Sequence, residues 1–306
     1  MPQIARQSFK PAANGKPSIR KVTSTDSILA RAIPVGQLET DWFKFVLYGV
    51  NRVGKTTLAC QWDKPLLLIS FEPGEKSGGA KSVKKIAGVE YVNIGSGTQA
   101  IKLARELTSD THYKTHVLDT VTSLQDIVLK ELMHLAEVPV QLNWGLVTMD
   151  QYRERSEKTK EILRLYRDLK CNTNFVAQEK DHNPPESRKV LTRSIQVESF
   201  FAADLGGATV KWMHDSCDYI GRLYLDKETK LVKGQAAQLH GKTIPGEDRL
   251  EETGRIVRRL RTMLHPNYAA GFRSENPDAV PEYIEAVTPA EMYQKIMQVA
   301  KGIKVK

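Results

Sequence analysis

Cysteine is scarce in this 306-residue chain. Cys60, Cys171 and Cys217 lie far apart with no CxxC spacing, which argues against a disulfide framework or a zinc module and predicts reduced, buried thiols. Long apolar runs are missing as well. The longest, such as Pro65 to Phe71, are strand-sized, well short of the ~20 residues that a membrane-spanning helix needs. The opening residues, MPQIARQSFK, hold no apolar stretch of the kind that directs secretion, so a cytoplasmic protein without membrane contact is expected. There is no HExxH. His112 and His116 stand four apart, but the second falls in a predicted strand, which separates them as metal ligands. No internal repeat occurs at solenoid spacing.

What is present suits an ordinary folded protein. Hydrophobic residues make up 41% of the chain and charged residues 26%, enough for a core and unlike collagen, a mucin stalk or a globally disordered chain. Lys and Arg number 45 against 36 Asp and Glu, a formal charge of +9 that is compatible with a polyanionic partner. Over half of that surplus sits in residues 1–36, where Arg6, Lys10, Lys16, Arg20, Lys21 and Arg31 face Asp26 alone among several prolines. This segment reads as a flexible basic arm, and a polyanion-binding role and a solubilising role both stay open for it.

Order is expected from about Trp42. Phe43 to Gly49 has the apolar, aromatic character of a buried parallel strand, followed by a Gly-rich turn and a helix starting at Lys55 and reaching toward Trp62. Leu66 to Phe71, Tyr91 to Ile94, Thr115 to Asp119 and Asn174 to Gln178 read as further strands. Helical segments lie over 98–107, from 124 onward, and over the charged amphipathic stretch 148–170. This alternation predicts an α/β domain with a mainly parallel sheet flanked by helices. Tyr219 to Leu225 reads as another strand, and Arg255 to Leu264 as either helix or edge strand. Thr288-Pro289-Ala290-Glu291 forms a helix-start signature, with the helix running to about Ala300. The resulting partition is an arm over 1–36, a core over 37–265 and a C-terminal extension with a short helix over 266–306.

Gly49-Val50-Asn51-Arg52-Val53-Gly54-Lys55-Thr56 fits GxxxxGK[ST], the P-loop pattern. Glycines let the backbone curl so that successive N–H groups point at phosphate oxygens. Lys55 supplies a point charge for the terminal phosphates, and the Thr56 hydroxyl is the candidate Mg²⁺ ligand. Thr57 closes the nucleotide-binding stretch that begins at Gly49. Asp119, at the end of a buried strand, is the second candidate on the metal side. Glu72 ends the strand after the P-loop helix and would face the same crevice, where a carboxylate can align water for attack on phosphorus. Gln178 is placed to sense the γ-phosphate, with Glu179 beside it as a competitor. ATP and Mg²⁺ are therefore the expected cofactors.

The P-loop, an acid ending the next strand (LLLISFEPG), the segment KSVKKIAGVEYVNI, then VLDTVTSL and a later strand with a polar end (NFVAQEK) together resemble the RecA-like ATPases. Within them they resemble the small phage ATPases of the Sak type, associated with single-strand annealing and recombination. The resemblance covers roughly residues 42–225. It implies ATP hydrolysis with Mg²⁺, assembly into rings or filaments, and action on single-stranded DNA in phage recombination, annealing or replication, in the host cytoplasm and with single-strand-binding or recombination partners. By position, Lys55 and Thr56 fall on the Walker A pair, Asp119 on Walker B, Glu72 on the catalytic glutamate and Gln178 on the polar sensor. Two features depart from the pattern: the Walker B segment is weakly apolar (Tyr113, Lys114, His116), and the loop after Glu179 is long.

DNA-contacting loops in such proteins follow the fourth and fifth strands, which corresponds here to residues 137–145 and 180–207. The second holds Arg188, Lys189 and Arg193 near Phe200 and Phe201, a cation-and-aromatic mixture suited to tracking and stacking on a single strand; a solvated loop with both rings returned to the core is the competing expectation. Arg255, Arg258, Arg259, Arg261 and Arg273 are candidates for a phosphate-facing ridge or an arginine finger, or are a surface cluster. Two other functions share the same loop: a small-molecule phosphotransferase and a nucleotide-gated assembly or packaging protein.

Overall fold

Strand β1 (Lys44–Gly49) is buried along its whole length because its neighbours cover both faces. Phe45 and Leu47 point into one hydrophobic cluster, while Val46 and Tyr48 point into the other. The same split holds on β2 (Leu66–Ser70), with Leu66 and Leu68 on one side and Leu67 and Ile69 on the other. A period of two on a strand covered twice gives the continuous apolar runs seen in the sequence.

The computed structural model describes residues 42–72, 78–134, 147–182, 199–232, 237–239, 242–244 and 249–305. The basic arm over 1–36, the loop over 137–145, and Arg188, Lys189 and Arg193 lie outside the described residues.

Six parallel strands form the centre of the sheet, with two antiparallel strands beyond them. The parallel set is β3 (Val89–Asn93), β2, β4 (Thr115–Asp119), β5 (Asn172–Asp181), β1 and β7 (Tyr219–Val232). With β6 (Phe201–Ala203), β10 (Arg249–Arg261), β11 (Gly271–Phe272) and β12 (Tyr283–Ala286) added, the order is β12-β10-β7-β1-β5-β4-β2-β3, with β6 beside β5 and β11 beside β7. Helices α3 (Gly97–Ser109), α4 (Val121–Leu132), α5 (Met149–Arg167) and α6 (Gly207–Ser216) contribute to one hydrophobic cluster, while α1 (Lys55–Ala59) and α7 (Pro289–Ala300) contribute to the other. The chain is thus a mixed α/β fold with a mostly parallel central sheet between helical layers.

Four elements differ from the sequence reading. Helix α1 stops at Ala59: Cys60 N–H still makes the helical bond to Thr56 O, but Gln61 N–H turns back to Leu58 O in a tighter i→i−3 turn. The turn delivers the Trp62 indole into the core, between Phe45 (5.4 Å) and Tyr293 (4.9 Å). Strand β5 runs past Gln178 to Asp181, since Glu179 to Asp181 pair antiparallel with β6 (Phe201–Ala203). Strand β7 runs to Val232, and β10 (Arg249–Arg261) is its antiparallel partner. β10 is no edge, because β12 (Tyr283–Ala286) pairs with its other side. From Leu223 onward the β7–β10 hairpin extends about 30 Å past the end of β1.

The weakly apolar segment before Asp119 is explained by placement. Tyr113 and Lys114 precede β4, whose five residues are all buried, His116 included. His116 Nδ1 lies 3.0 Å from Cys171 Sγ, and burial pulls the imidazole pKa down to about 4. Beside it, the buried Lys44 Nζ donates to Leu169 O, Cys171 O and Thr173 Oγ1 at 2.8, 2.6 and 3.1 Å. This polar cluster closes the end of the sheet opposite the P-loop.

Candidate nucleotide-binding site

The loop after β1 is shaped by close approach. A Cβ on Gly49 would meet Leu223 O of β7 at 2.2 Å, so only glycine lets the two strands run side by side there. Val50, Asn51 and Arg52 are exposed, Arg52 with a φ of 65°, and Val53 turns inward. Gly54 caps α1 with a φ of 98°. Lys55 is buried, and its Nζ donates to Gly49 O and Val50 O, both at 2.8 Å, holding the ammonium across the mouth of the loop. Burial lowers its pKa to about 8, with the charges of Asp119 and Glu179 working the other way, so the group is still charged at neutral pH. Thr57 Oγ1 lies 3.4 Å from Ser82 Oγ of α2 (Gly78–Val83).

Thr56 Oγ1 donates to Asp119 Oδ2 at 2.8 Å, across 63 residues of sequence. The parallel register explains the meeting: Ser70 pairs with Asp119, and β4 ends level with the loop. Burial raises the Asp119 pKa to about 6, opposed by the Thr56 hydrogen bond and helped by the nearby Glu72 charge. Gly79 closes over this pair. A Cβ there would stand 2.6 Å from Asp119 Oδ2 and 3.3 Å from Thr56 Oγ1. The sequence reading missed this residue, although the run of small residues after Glu72 was its signal. Hard oxygen ligands from a hydroxyl and a carboxylate suit Mg²⁺, which takes one or two protein oxygens and completes its shell with phosphate and water.

Glu72 follows β2 half-buried, with its N–H on Ser70 Oγ (3.3 Å) and its carbonyl accepting from Asn93 Nδ2 (3.1 Å). These backbone bonds fix its Cα at the rim that also carries Asp119. Gln178 pairs in register with Gly49, which sets it beside the start of the loop, and its N–H donates to Thr122 Oγ1 at 3.1 Å. The adjacent Glu179 carboxylate is bound in a two-pronged ion pair with Arg222, at 2.6 and 3.0 Å, and the guanidinium lies over the Tyr268 ring. Lys55, Thr56, Glu72, Asp119 and Gln178 are thereby gathered at the carboxyl ends of adjacent parallel strands, where α/β sheets bind ligands.

Other expectations resolve differently. Phe200 packs half-buried against the core, and Phe201 stacks on Tyr268 at 5.5 Å, so both rings are taken up by the fold. Arg259 pairs with Asp226 and Glu285, Arg261 with Glu282, and Arg273 with Asp218. Arg258 alone of the group reaches the loop, with its Nε 3.4 Å from Val53 O.

Among the described residues no helix is long and apolar enough to cross a membrane, and no group of three or more metal-ligating side chains occurs. None of the curated proteins matches the chain. The AAA domain family profile matches residues 42–271, which takes in the loop, β4, β5 and the whole β7–β10 pair. With three quarters of its length covered, the chain belongs to the AAA domain family and is a P-loop ATPase by kind.

Proposed function

We propose that the protein is a Mg²⁺-dependent ATPase of RecA-like type that works on single-stranded DNA, in phage homologous recombination, annealing or replication. The observation that carries the nucleotide half is the 2.8 Å contact of Thr56 with Asp119 beside the buried ammonium of Lys55. In this reading the N–H groups of residues 50–57 cradle the β- and γ-phosphates, and Lys55 neutralises their charge. Thr56 and Asp119 hold Mg²⁺, which when bound screens the triphosphate. Glu72 orients the attacking water and takes its proton, and Gln178 senses the terminal phosphate from β5. The DNA half rests on the +9 charge, on its concentration before residue 37, and on Arg188, Lys189 and Arg193 after β5. Ring or filament assembly of identical subunits accompanies it, with a single-strand-binding or recombination protein as a further partner.

The test is phosphate release from ATP by the full chain, with and without single-stranded DNA, over a range of salt. Turnover raised several-fold by DNA, and losing that stimulation as salt rises, supports the proposal. Turnover indifferent to DNA, together with no shift in a binding assay, removes the DNA half and leaves the ATPase. Phosphate delivered to a metabolite instead of water removes the hydrolase reading.

A further inference from the structure

Arg258 sits on β10, opposite Leu225 of β7 and Ala286 of β12. Its neighbours Arg259 and Arg261 bond carboxylates, but Arg258 uses its donors on main-chain carbonyls: Nε on Val53 O at 3.4 Å and Nη1 on Val287 O at 3.1 Å. Among the described residues it has no carboxylate partner. A Cβ on Gly54 would lie 3.4 Å from the same Nε, so the guanidinium rests on the outside of the loop, one residue before Lys55.

The Val53 carbonyl and the Gly54 N–H belong to one planar trans peptide and point in opposite directions. A cation on the oxygen polarises the unit and makes its N–H a stronger donor on the far side, where a phosphate would lie. The other anchor, Val287, precedes the Thr288 cap of α7, and its N–H donates to Glu291 Oε2 at 3.1 Å. That helix shares a hydrophobic cluster with α1, and its Tyr293 ring meets Trp62 at a tilt while its hydroxyl donates to Asp63, both just after α1. One side chain therefore ties the loop, the projecting hairpin and the C-terminal helix together.

We propose that Arg258 is a positioning residue of the phosphate cradle, holding the Val53–Gly54 peptide from behind so that its N–H is fixed toward a nucleoside di- or triphosphate. This rests on the nucleotide reading above. Arg258 faces the loop's outer side, so its removal should weaken binding without touching the water-activating step.

The test is titration of ADP and of a non-hydrolysable ATP analogue, each with Mg²⁺, into the full chain as wild type, Arg258→Ala, Arg258→Lys, Arg258→Gln and Lys55→Ala. The alanine and glutamine variants are expected to lose about tenfold in affinity for both nucleotides, and the lysine variant to stay within about threefold of wild type. The KM for ATP should rise with kcat within about twofold, and the melting temperature of the nucleotide-free protein should stay within about 2 °C. Should the alanine variant fail to fold, the comparison of lysine with glutamine decides, and equal affinities of those two overturn the proposal. It is also overturned by unchanged affinity in every Arg258 variant while Lys55→Ala loses binding, or by weakening matched by a fall in nucleotide-free melting temperature. Wild-type protein that binds neither nucleotide overturns the nucleotide reading as well.

Discussion

Glu72 and Asp119 carry charge close enough that Glu72 helps to push the Asp119 pKa up, yet their surroundings divide their roles. Asp119 is buried and hydrogen-bonded to Thr56, whereas Glu72 is half-buried at the rim. Glu72→Gln keeps the shape and removes the base. It should leave affinity for a non-hydrolysable ATP analogue within about threefold of wild type and lower turnover by about 100-fold or more. Near-normal turnover in a phosphate-release assay would hand the water-orienting role to another group. A second residue-scale effect lies at the opposite end of the sheet. Burial keeps His116 neutral in the fold, with its pKa pulled down to about 4 from the ordinary 6.5. The unfolded chain takes up a proton below about pH 6.5 that the folded chain refuses until about pH 4, so this group's share of the stability falls as pH drops through that window, by about 3 kcal/mol in all. Urea unfolding of wild type and His116→Asn, compared at pH 7 and pH 4.5, isolates the effect because the other titrating groups are common to both. The variant should gain on wild type as pH falls, and parallel pH profiles would show that the imidazole titrates normally.

At the scale of elements, the ends of the strands set the site. β1 can lie against β7 only because position 49 has no side chain. Gly49→Ala should therefore cost about 2–3 kcal/mol in urea unfolding, through steric overlap with Leu223 O. Unchanged stability would mean that the two strands separate freely at this point. The five parallel strands from β1 to β5 were legible in the sequence: β1 and β2 because burial on both faces writes itself as an apolar run, and β3 to β5 because short apolar stretches alternate with helical segments. The placement of Lys55, Thr56, Asp119 and Glu72 at the strand ends was legible for a related reason: each stands at or shortly after the end of a strand that the sequence marks. What the sequence hid was set through space. The early end of α1 depends on Trp62 finding Phe45 and Tyr293, and the length of β7 depends on pairing with residues 249–261. Gly79 and Arg258 reach the loop from elements whose local pattern says nothing of phosphate.

At the scale of the molecule, the sheet joins two unlike halves. One is the parallel set whose carboxyl edge carries the loop. The other is the antiparallel β7–β10–β12 extension, which runs past that edge and returns through α7 onto α1. The candidate nucleotide site lies where the halves meet, since Gly49 abuts β7 and Val53 is held from β10. Membership of the AAA domain family gives the kind of protein, and the loop after β1 is where we propose that it binds nucleotide. The measurement that tests this most directly is a calorimetric titration of Mg²⁺ with a non-hydrolysable ATP analogue into wild type and Lys55→Ala. Saturable 1:1 binding by wild type, weakened about 10- to 100-fold in the variant, is the predicted result. Absence of binding by folded wild-type protein, or equal binding by the two, would contradict the account.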